Sequence, residues 1–278
     1  MNPLLFITWT PGPEIFSIGP IHLRWYGLLF ASGFLIGYYI TRHIFRKEQV
    51  PEIWLDSLLL AMVLGTIIGA RLGHVFFYDW PEYREHPLDI LMIWKGGLAS
   101  HGAAAGLFLA FWLWSQRVSK KPMLWITDRL AMSIALGGFF IRMGNLFNHE
   151  IVGKPTDVPW AFQFMLNQDD GRFVHVPRHP TQLYEAIAYI CIAGLLGWLF
   201  FRTNASKKQG LLTGWFLVLV FGARILLEFT KEKQEHLEAE WINRILEVIN
   251  MGQILSIPLV IFGSILIIRA VRTSSPKA

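Results

Sequence analysis

Seven long apolar runs constrain this chain more than any other feature of its sequence. They cover residues 20–41, 55–77, 97–115, 126–147, 181–201, 211–229 and 252–270. Most of them reach the roughly 20 residues that an α-helix needs to cross a bilayer. Only 16% of the 278 residues are charged, whereas about a quarter are charged in soluble domains. The pattern predicts an all-α integral membrane protein, with residues 1–278 forming a single polytopic bundle of about seven transmembrane helices.

Small residues recur at every fourth position in three of these runs. They are Gly33 and Gly37, Gly65, Gly69 and Gly73, and Gly102 and Gly106. This spacing lets helix backbones approach one another closely in lipid. The single cysteine, Cys191, lies in an apolar run and is expected to be a small buried hydrophobe, so neither a disulfide framework nor a cysteine metal site is predicted.

Charge alternates between successive connections and predicts the orientation in the membrane. The connections after the first, third and fifth runs and the C-terminal tail are basic, containing Arg42, Arg46 and Lys47, Arg117, Lys120 and Lys121, Arg202, Lys207 and Lys208, and Arg269, Arg272 and Lys277. The alternate connections are acidic or mixed. Because cytoplasmic loops are enriched in lysine and arginine, the N-terminus is predicted outside and the C-terminus in the cytoplasm.

Polar residues collect near the ends of the apolar runs. They are Tyr26, Arg71, His101, Arg142, Asn145, Gln182, Tyr184, Arg224, Glu228, Gln253 and Ser256. With the predicted topology, all of them fall in the outer half of the bundle. The sequence therefore predicts a site at the depth of the outer leaflet's ester and head-group region.

The densest polar segment is 141–153, which follows the fourth apolar run. If the helix continues through it, Arg142, Asn145 and His149 share one face at i, i+3 and i+7 spacing. An arginine there is tolerated in lipid only if it faces a polar or protein-lined cavity and has an anionic partner. The alternative is a snorkelling arginine followed by an ordinary loop.

Four of these residues suit a reaction at a phosphate ester. The guanidinium groups of Arg142 and Arg224 carry forked donors that match phosphate oxygens. Glu228 lies one turn beyond Arg224 and could hold that side chain, although an ordinary intrahelical ion pair explains the spacing equally well. His101 opens the third run in a glycine-rich setting, where it is either a general base or a structural histidine.

Several common active-site patterns are absent from the sequence. It contains no H-E-x-x-H zinc motif, no G-x-S-x-G elbow and no phosphate-binding P-loop. The basic loops fit membrane topology better than nucleic-acid binding, so no nucleic acid is expected as a partner.

The remaining motifs resemble one family over nearly the whole chain. They are residues 16–20 (FSIGP), 24–27 (RWYG), 69–73 (GARLG), 96–102 (GGLASHG), 142–153 (RMGNLFNHEIVG), 178–185 (RHPTQLYE) and 251–256 (MGQILS). In this order they are similar to the bacterial phosphatidylglycerol–prolipoprotein diacylglyceryl transferases. One departure concerns Phe221, which stands where the family often has a tyrosine before the arginine of the sixth run, so no role of that hydroxyl is carried over.

The resemblance implies transfer of the diacylglyceryl group of phosphatidylglycerol to the lipobox cysteine of a prolipoprotein signal peptide, with release of glycerol phosphate. It implies neither a metal nor an organic cofactor, and it places the enzyme in the bacterial cytoplasmic (inner) membrane with its active site near the outer leaflet. The implied catalytic residues are His101, Arg142 and Arg224. The implied substrate-binding residues are Tyr26, Arg71, Arg142, Asn145, Asn148, Glu150, Gly153, Gln182, Tyr184 and Glu228.

Two questions stay open at this point. The residues alone also permit a transporter or flippase for an anionic lipid, because buried arginines and broken helix ends suit such proteins too. Against it, the sequence has no paired repeat halves and its polar residues cluster at one depth. Within the transferase interpretation, His149 and a substrate-assisted route compete with His101 for the role of base.

Overall fold

The computed structural model describes residues 6–19, 21–165, 176–232 and 251–273. Its helices are α1 (Trp25–Lys47), α2 (Glu52–Phe77), α3 (Trp80–Glu85), α4 (Ser100–Trp114), α5 (Met123–Phe147), α6 (Thr181–Arg202), α7 (Leu211–Leu227) and α8 (Met251–Arg272). Its strands are β1 (Ile7–Trp9), β2 (Glu14–Ile18), β3 (Ile21–Arg24), β4 (Phe162–Phe164) and β5 (Pro177–Arg178). Within these ranges the architecture is therefore mainly helical.

Six helices of the described residues are long and apolar enough to cross a membrane, which is one fewer than predicted. The run at 97–115 forms α4, a helix of only 15 residues that continues into a π-helical turn at Ser115–Ser119. Large apolar side chains such as Leu60, Ile68 and Ile265 are more than half exposed on the long helices. Such an outward apolar surface is typical of helices that contact lipid, and the chain is a multi-pass membrane protein.

The first predicted span began too early. Residues 21–24 belong to β3, which pairs with β2 in an antiparallel hairpin with Ser17 opposite His22. Apolar and polar residues alternate in the segment IHLR, and this period of two is typical of a strand. The helix begins only at Trp25, whose backbone N–H donates to the carbonyl of Pro13 at 3.0 Å.

The chain falls into two compact units. The first contains residues 1–37 and 128–278, and the second contains residues 38–127. The prediction of one undivided bundle stays a prediction.

In the second unit, α2 and α4 pack against each other through glycines. A Cβ added at Gly65 would lie 2.7 Å from the Cβ of Ala110 and 2.8 Å from the carbonyl oxygen of Gly106. Gly69 and Gly73 meet Gly102 in the same close manner. The predicted close approach of these helix backbones is confirmed, and any larger side chain here would separate the helices.

In the first unit, a buried carboxylate fixes the start of α7. Asp128 accepts hydrogen bonds from the backbone N–H of Gly210 at 2.6 Å, from the N–H of Thr213 at 2.8 Å and from the Thr213 hydroxyl at 2.7 Å. These bonds satisfy donors that a helix start otherwise leaves unpaired. The start of α7 is thus tied to α5. Cys191, expected to be buried, is exposed on α6 instead.

A small sheet covers the end of α5. Strand β4 pairs in parallel with β1 and antiparallel with β5. Its Phe162 and Phe164 form a buried cluster with Leu146, and the indole of Trp9 donates to the carbonyl of Leu146 at 3.2 Å. This apolar cover fixes the point where α5 ends, and the polar residues of the site follow immediately.

Candidate functional site

Arg142 lies in the last turns of α5 and meets two side chains. Its Nε lies 2.8 Å from Oε2 of Glu185 on α6, and its Nη1 donates to Oδ1 of Asn145 at 3.1 Å. The Arg142 side chain is 11% exposed and the Glu185 side chain is fully buried. The shared face of Arg142 and Asn145 is therefore confirmed. Glu185 is the anionic partner that the sequence required but did not identify.

His149 does not join that face. The helix ends at Phe147, and both His149 and Ile151 have positive φ angles, 56° and 57°. Left-handed residues of this kind turn the chain out of the helix. The His149 ring instead lies with Nε2 2.8 Å from the carbonyl oxygen of Pro11. The helix ends where the fourth apolar run was predicted to end, so the face that it shares includes Arg142 and Asn145 but not His149.

Glu150 is held by three amide side chains that were predicted to bind substrate. Nδ2 of Asn145 donates to its Oε2 at 3.0 Å, and Nδ2 of Asn148 donates to its Oε1 at 2.8 Å. Nε2 of the fully buried Gln182 donates to the Glu150 backbone carbonyl at 2.5 Å. The structure thus brings these four residues together with Arg142, and it fixes the turn after α5.

Lys231 connects two carboxylates in the same region. Its Nζ lies 3.1 Å from Oε1 of Glu185 and 3.0 Å from Oε2 of Glu228, and the residue is 5% exposed. The structure pairs Glu228 with Lys231, which follows it by three residues, and the expected support of Arg224 by Glu228 stays a prediction. Sequence reasoning missed both Glu185 and Lys231. A single carboxylate inside the apolar run of α6 was the available signal, since such a group needs a nearby cation.

Arg224 lies near the end of α7, and among the described residues its buried Nε has no hydrogen-bond partner. The hydroxyl of Tyr189 interacts electrostatically with both Arg142 and Arg224. A buried donor without a partner costs free energy of about 1–3 kcal/mol. An anionic ligand that accepts from Arg224 would remove this cost.

Glycine is required at two positions beside these charges. The backbone N–H of Gly153 donates to the carbonyl of His179 at 3.1 Å, and its carbonyl accepts from Nη1 of Arg178 at 2.9 Å. A Cβ at Gly153 would collide with the His179 carbonyl. A Cβ at Gly144 would lie 2.8 Å from the ring of Tyr26, so that ring packs directly on α5.

The hydroxyl of Tyr184 is already engaged with protein partners. It accepts from the indole N–H of Trp160 at 2.8 Å and lies 3.1 Å from Nδ1 of His179. Burial lowers the pKa of His179, so the neutral ring is the favoured acceptor for the Tyr184 proton. These contacts fix the Tyr184 side chain at the start of α6, and its role in substrate binding stays a prediction.

Arg71 lies in the second unit. It was expected to bind substrate, but its contacts are those of a structural residue. It is 3% exposed, and its N–H groups donate to backbone carbonyls only. The acceptors are Ile90 at 2.9 Å, Gly96 at 2.6 Å, Gly97 at 3.1 Å, Asp89 at 2.5 Å and Met92 at 3.4 Å. Five acceptors match the five N–H groups of a guanidinium. Arg71 therefore organises the 89–97 segment and has no donor left for a substrate.

His101 is the second residue of α4 and is exposed. Its ring packs edge-on against Phe77 at 5.3 Å and lies 5.7 Å from the ring of Tyr78. Both neighbours belong to the end of α2 or follow it directly. The ring is thus oriented by aromatic contacts within the second unit and stays accessible, as a proton acceptor must be.

The charges of the first unit suit an anionic ligand. Arg142 and Lys231 supply two positive charges in contact with two buried or nearly buried carboxylates, Glu185 and Glu228. Arg224, four residues before Glu228 in the chain, supplies a third. The excess over these two carboxylates is one positive charge. A phosphodiester carries one negative charge and offers oxygens that guanidinium forks can bind.

Comparisons with known proteins match almost the whole chain to proteins of one kind. Residues 13–269 match the model of a family described as prolipoprotein diacylglyceryl transferase. The chain is 43% identical over 272 residues to the phosphatidylglycerol–prolipoprotein diacylglyceryl transferase of Chloroherpeton thalassium, with 98% of this chain and 97% of the relative covered. It is 45% identical over 260 residues to the protein of the same name from Tolumonas auensis, covering 94% and 96%. For the Porphyromonas gingivalis protein the identity is 43% over 272 residues, covering 96% and 95%.

Proposed function

The chain belongs to the prolipoprotein diacylglyceryl transferase family, and we propose on this basis that it transfers the diacylglyceryl group of phosphatidylglycerol to prolipoproteins. The observation that carries the proposal is the match over residues 13–269, because it includes every charged residue of the Arg142 cluster. The enzyme is a transferase of the bacterial lipoprotein maturation route. A transporter function gains no support, since each of the relatives named above is a transferase.

Phosphatidylglycerol would bind with its phosphodiester between Arg142 and Arg224. Support comes from Nε of Arg224, which has no hydrogen-bond partner among the described residues, and from the Tyr189 hydroxyl, which interacts electrostatically with both arginines. Asn145 would steady Arg142 through their 3.1 Å hydrogen bond. Asn148, Glu150 and Gln182 would shape the rim of the head-group site, and the Tyr26 ring, packed on Gly144, would border it.

The reaction is a displacement at carbon. The thiolate of the lipobox cysteine attacks the carbon of the diacylglyceryl group that carries the phosphate ester. A C–S bond forms there while the C–O bond to the phosphate breaks. Glycerol phosphate leaves with the electron pair, and Arg224 would offset the charge that grows on it. The thiol proton goes to a base, for which His101 is our candidate. A thiol with a pKa of about 8.5 is a weak nucleophile at neutral pH until that proton is removed.

The finer membrane arrangement is also part of the proposal. α4 together with its π-helical turn covers residues 100–119, which is roughly 30 Å of helix at 1.5 Å per residue and therefore enough for a seventh span. Seven spans put the two termini on opposite sides of the membrane, and the basic connections then favour an N-terminus outside and a C-terminus in the cytoplasm. The Arg142 cluster then lies near the outer leaflet of the cytoplasmic membrane, where the lipobox cysteine of an exported prolipoprotein would meet it.

The test is transfer by the purified protein in detergent micelles that contain phosphatidylglycerol and a synthetic lipobox peptide. Mass spectrometry should find the peptide heavier by one diacylglyceryl group, together with one equivalent of glycerol phosphate. A peptide with serine in place of cysteine is the control for the acceptor atom, and phosphatidylethanolamine is the control for the head group. An unmodified cysteine peptide, with the protein folded, would overturn the proposed function.

A further inference from the structure

We propose that Lys231 supplies a unit of positive charge that the lipid site needs to hold a phosphodiester and so positions it, a role that rests on the proposed function. Lys231 follows the 3₁₀ turn Glu228–Thr230 at the end of α7. Its ammonium group contacts Glu185 at 3.1 Å and Glu228 at 3.0 Å while the residue is almost completely buried. It is the link in a chain of alternating charges that runs from Arg142 through Glu185 and Lys231 to Glu228.

The charge balance gives this lysine its importance. With Lys231, the two arginines and two carboxylates of the cluster carry one net positive charge. Without it, Arg142 and Arg224 are cancelled by Glu185 and Glu228, and nothing favours an anion. If Glu150, which is exposed at the rim, is counted as well, the net charge is zero with Lys231 and negative without it. On either count, loss of Lys231 makes the charge that a phosphodiester meets one unit more negative, among buried side chains, where charges interact strongly.

Lys231 also acts on the geometry of Arg142. Glu185 presents one oxygen to Arg142 and the other to Lys231. With the lysine removed, a fully buried carboxylate has only Arg142 as a full cationic neighbour in this chain of contacts. Glu185 would then hold the guanidinium more tightly and withdraw it from the lipid phosphate. Lys231 is thus a positioning residue that acts through Glu185, and it need not touch the reacting atoms.

The backbone around Lys231 does not depend on its side chain. Lys231 forms a β-bridge with Gly153, and the adjacent Lys154 and Glu232 N–H groups donate to Thr230 and Val152. Methionine has a similar unbranched length and leaves these main-chain bonds in place. Lys231→Met therefore removes the charge with little change in shape. Lys154, which is exposed, supplies the matched control Lys154→Met.

The experiment measures kcat and apparent KM for phosphatidylglycerol in mixed micelles at saturating lipobox peptide, and the Kd for phosphatidylglycerol by native mass spectrometry. Lys231→Met should raise KM and Kd about tenfold or more, with a smaller fall in kcat. Glu228→Gln removes the same ion pair but adds net positive charge, so it should lower KM. The double variant Glu228→Gln/Lys231→Met restores the net charge and should return KM to within about threefold of the wild-type value. Lys154→Met should change KM less than about twofold.

Under this proposal, Lys231→Met raises KM and Glu228→Gln lowers it. This difference separates the proposed role from a purely structural contact. If Lys231 only fastens the end of α7, Lys231→Met and Glu228→Gln should harm the protein alike, and the double variant should not recover. That pattern would overturn the proposal. If Lys231→Met does not fold, recovery of lipid binding in the double variant decides the question. The proposed function is tested separately by wild-type transfer, because the Kd measurements do not require turnover.

Discussion

Two buried arginines, one in each compact unit, show how the same side chain can serve architecture or ligand binding. Arg71 is 3% exposed and donates only to backbone carbonyls, at five positions between residues 89 and 97. Arg142 meets the side chains of Glu185 and Asn145. Both residues looked alike in the sequence, as single arginines near the end of an apolar run.

The difference lies in what the partners can do. A carbonyl of the main chain cannot leave its arginine without moving the fold, so Arg71 is fixed. A carboxylate or an amide side chain can shift or share its donors when a phosphate arrives, so Arg142 can exchange partners. The Nε of Arg224 lacks a partner among the described residues, so Arg224 can accept a ligand there without giving up a protein contact. The partner type of a buried arginine therefore predicts whether its loss lowers stability or activity.

The largest expected effect is on activity at Arg142. Arg142→Ala should lower the rate of transfer by at least about 10³-fold, because a preorganised donor to the phosphate is lost together with its charge. Arg142→Lys should recover little, since an ammonium group cannot reproduce the fork. The rate is measured with the micelle assay, and the thermal midpoint of each variant checks its folding. Near-normal turnover of Arg142→Ala would show that Arg142 has a structural role, as Arg71 does.

Arg224 should give the next largest effect and should act on the chemical step. Arg224→Ala is expected to lower kcat by about 10²-fold, because its charge matters most as the leaving phosphate develops. The Kd for phosphatidylglycerol should rise only about tenfold, as for Lys231→Met, because the same unit of positive charge is lost. Single-turnover kinetics separate the two quantities. Equal losses in kcat and in lipid binding would instead assign Arg224 to binding of the ground state.

The base is tested through the pH dependence of His101→Asn. If His101 accepts the thiol proton, the variant should bind lipid normally and transfer about 10²-fold more slowly. Raising the pH should restore part of the rate, since more of the acceptor thiol then ionises without help. A structural histidine gives a different result, namely a near-normal rate and a pH profile that matches the wild type.

Arg71 should show the opposite pattern from Arg142. Arg71→Ala leaves several backbone carbonyls without a donor, which should cost about 3 kcal/mol or more of stability. The thermal midpoint in detergent should fall by roughly 10 °C. The rate per folded molecule should fall less than about tenfold, because no ligand contact is lost. A stable Arg71→Ala protein without lipid binding would erase the distinction between the two arginines.

The smallest expected effect concerns His179. Its pKa is lowered by burial, so in the acidic range the unfolded state binds more protons than the folded state. Stability is complete above the ordinary histidine pKa of about 6.5 and falls as the pH drops below it. The thermal midpoint should fall by no more than about 2 °C between pH 7 and pH 5.5 on this account. His179→Gln should remove that part of the decline, and an identical decline in the variant would contradict the assignment.

The lengths of the apolar runs predicted the long helices well, because a helix needs about 20 apolar residues to cross the lipid. The bounds of α5 to α8 lie within three residues of those expected, and the glycine contacts of α2 with α4 are as predicted. The hairpin at residues 14–24 was missed because a short strand next to an apolar helix merges into the same run. Partners were the hardest to predict, since Glu185 and Lys231 are 46 residues apart and only tertiary packing brings them together.

The most direct test of the account is an experimental structure of the protein with phosphatidylglycerol bound. We expect the phosphate within hydrogen-bonding distance of Arg142 and Arg224, with Arg71 still bonded to the carbonyls of the 89–97 segment. A phosphate that rests against Arg71, or that lies away from both Arg142 and Arg224, would contradict it.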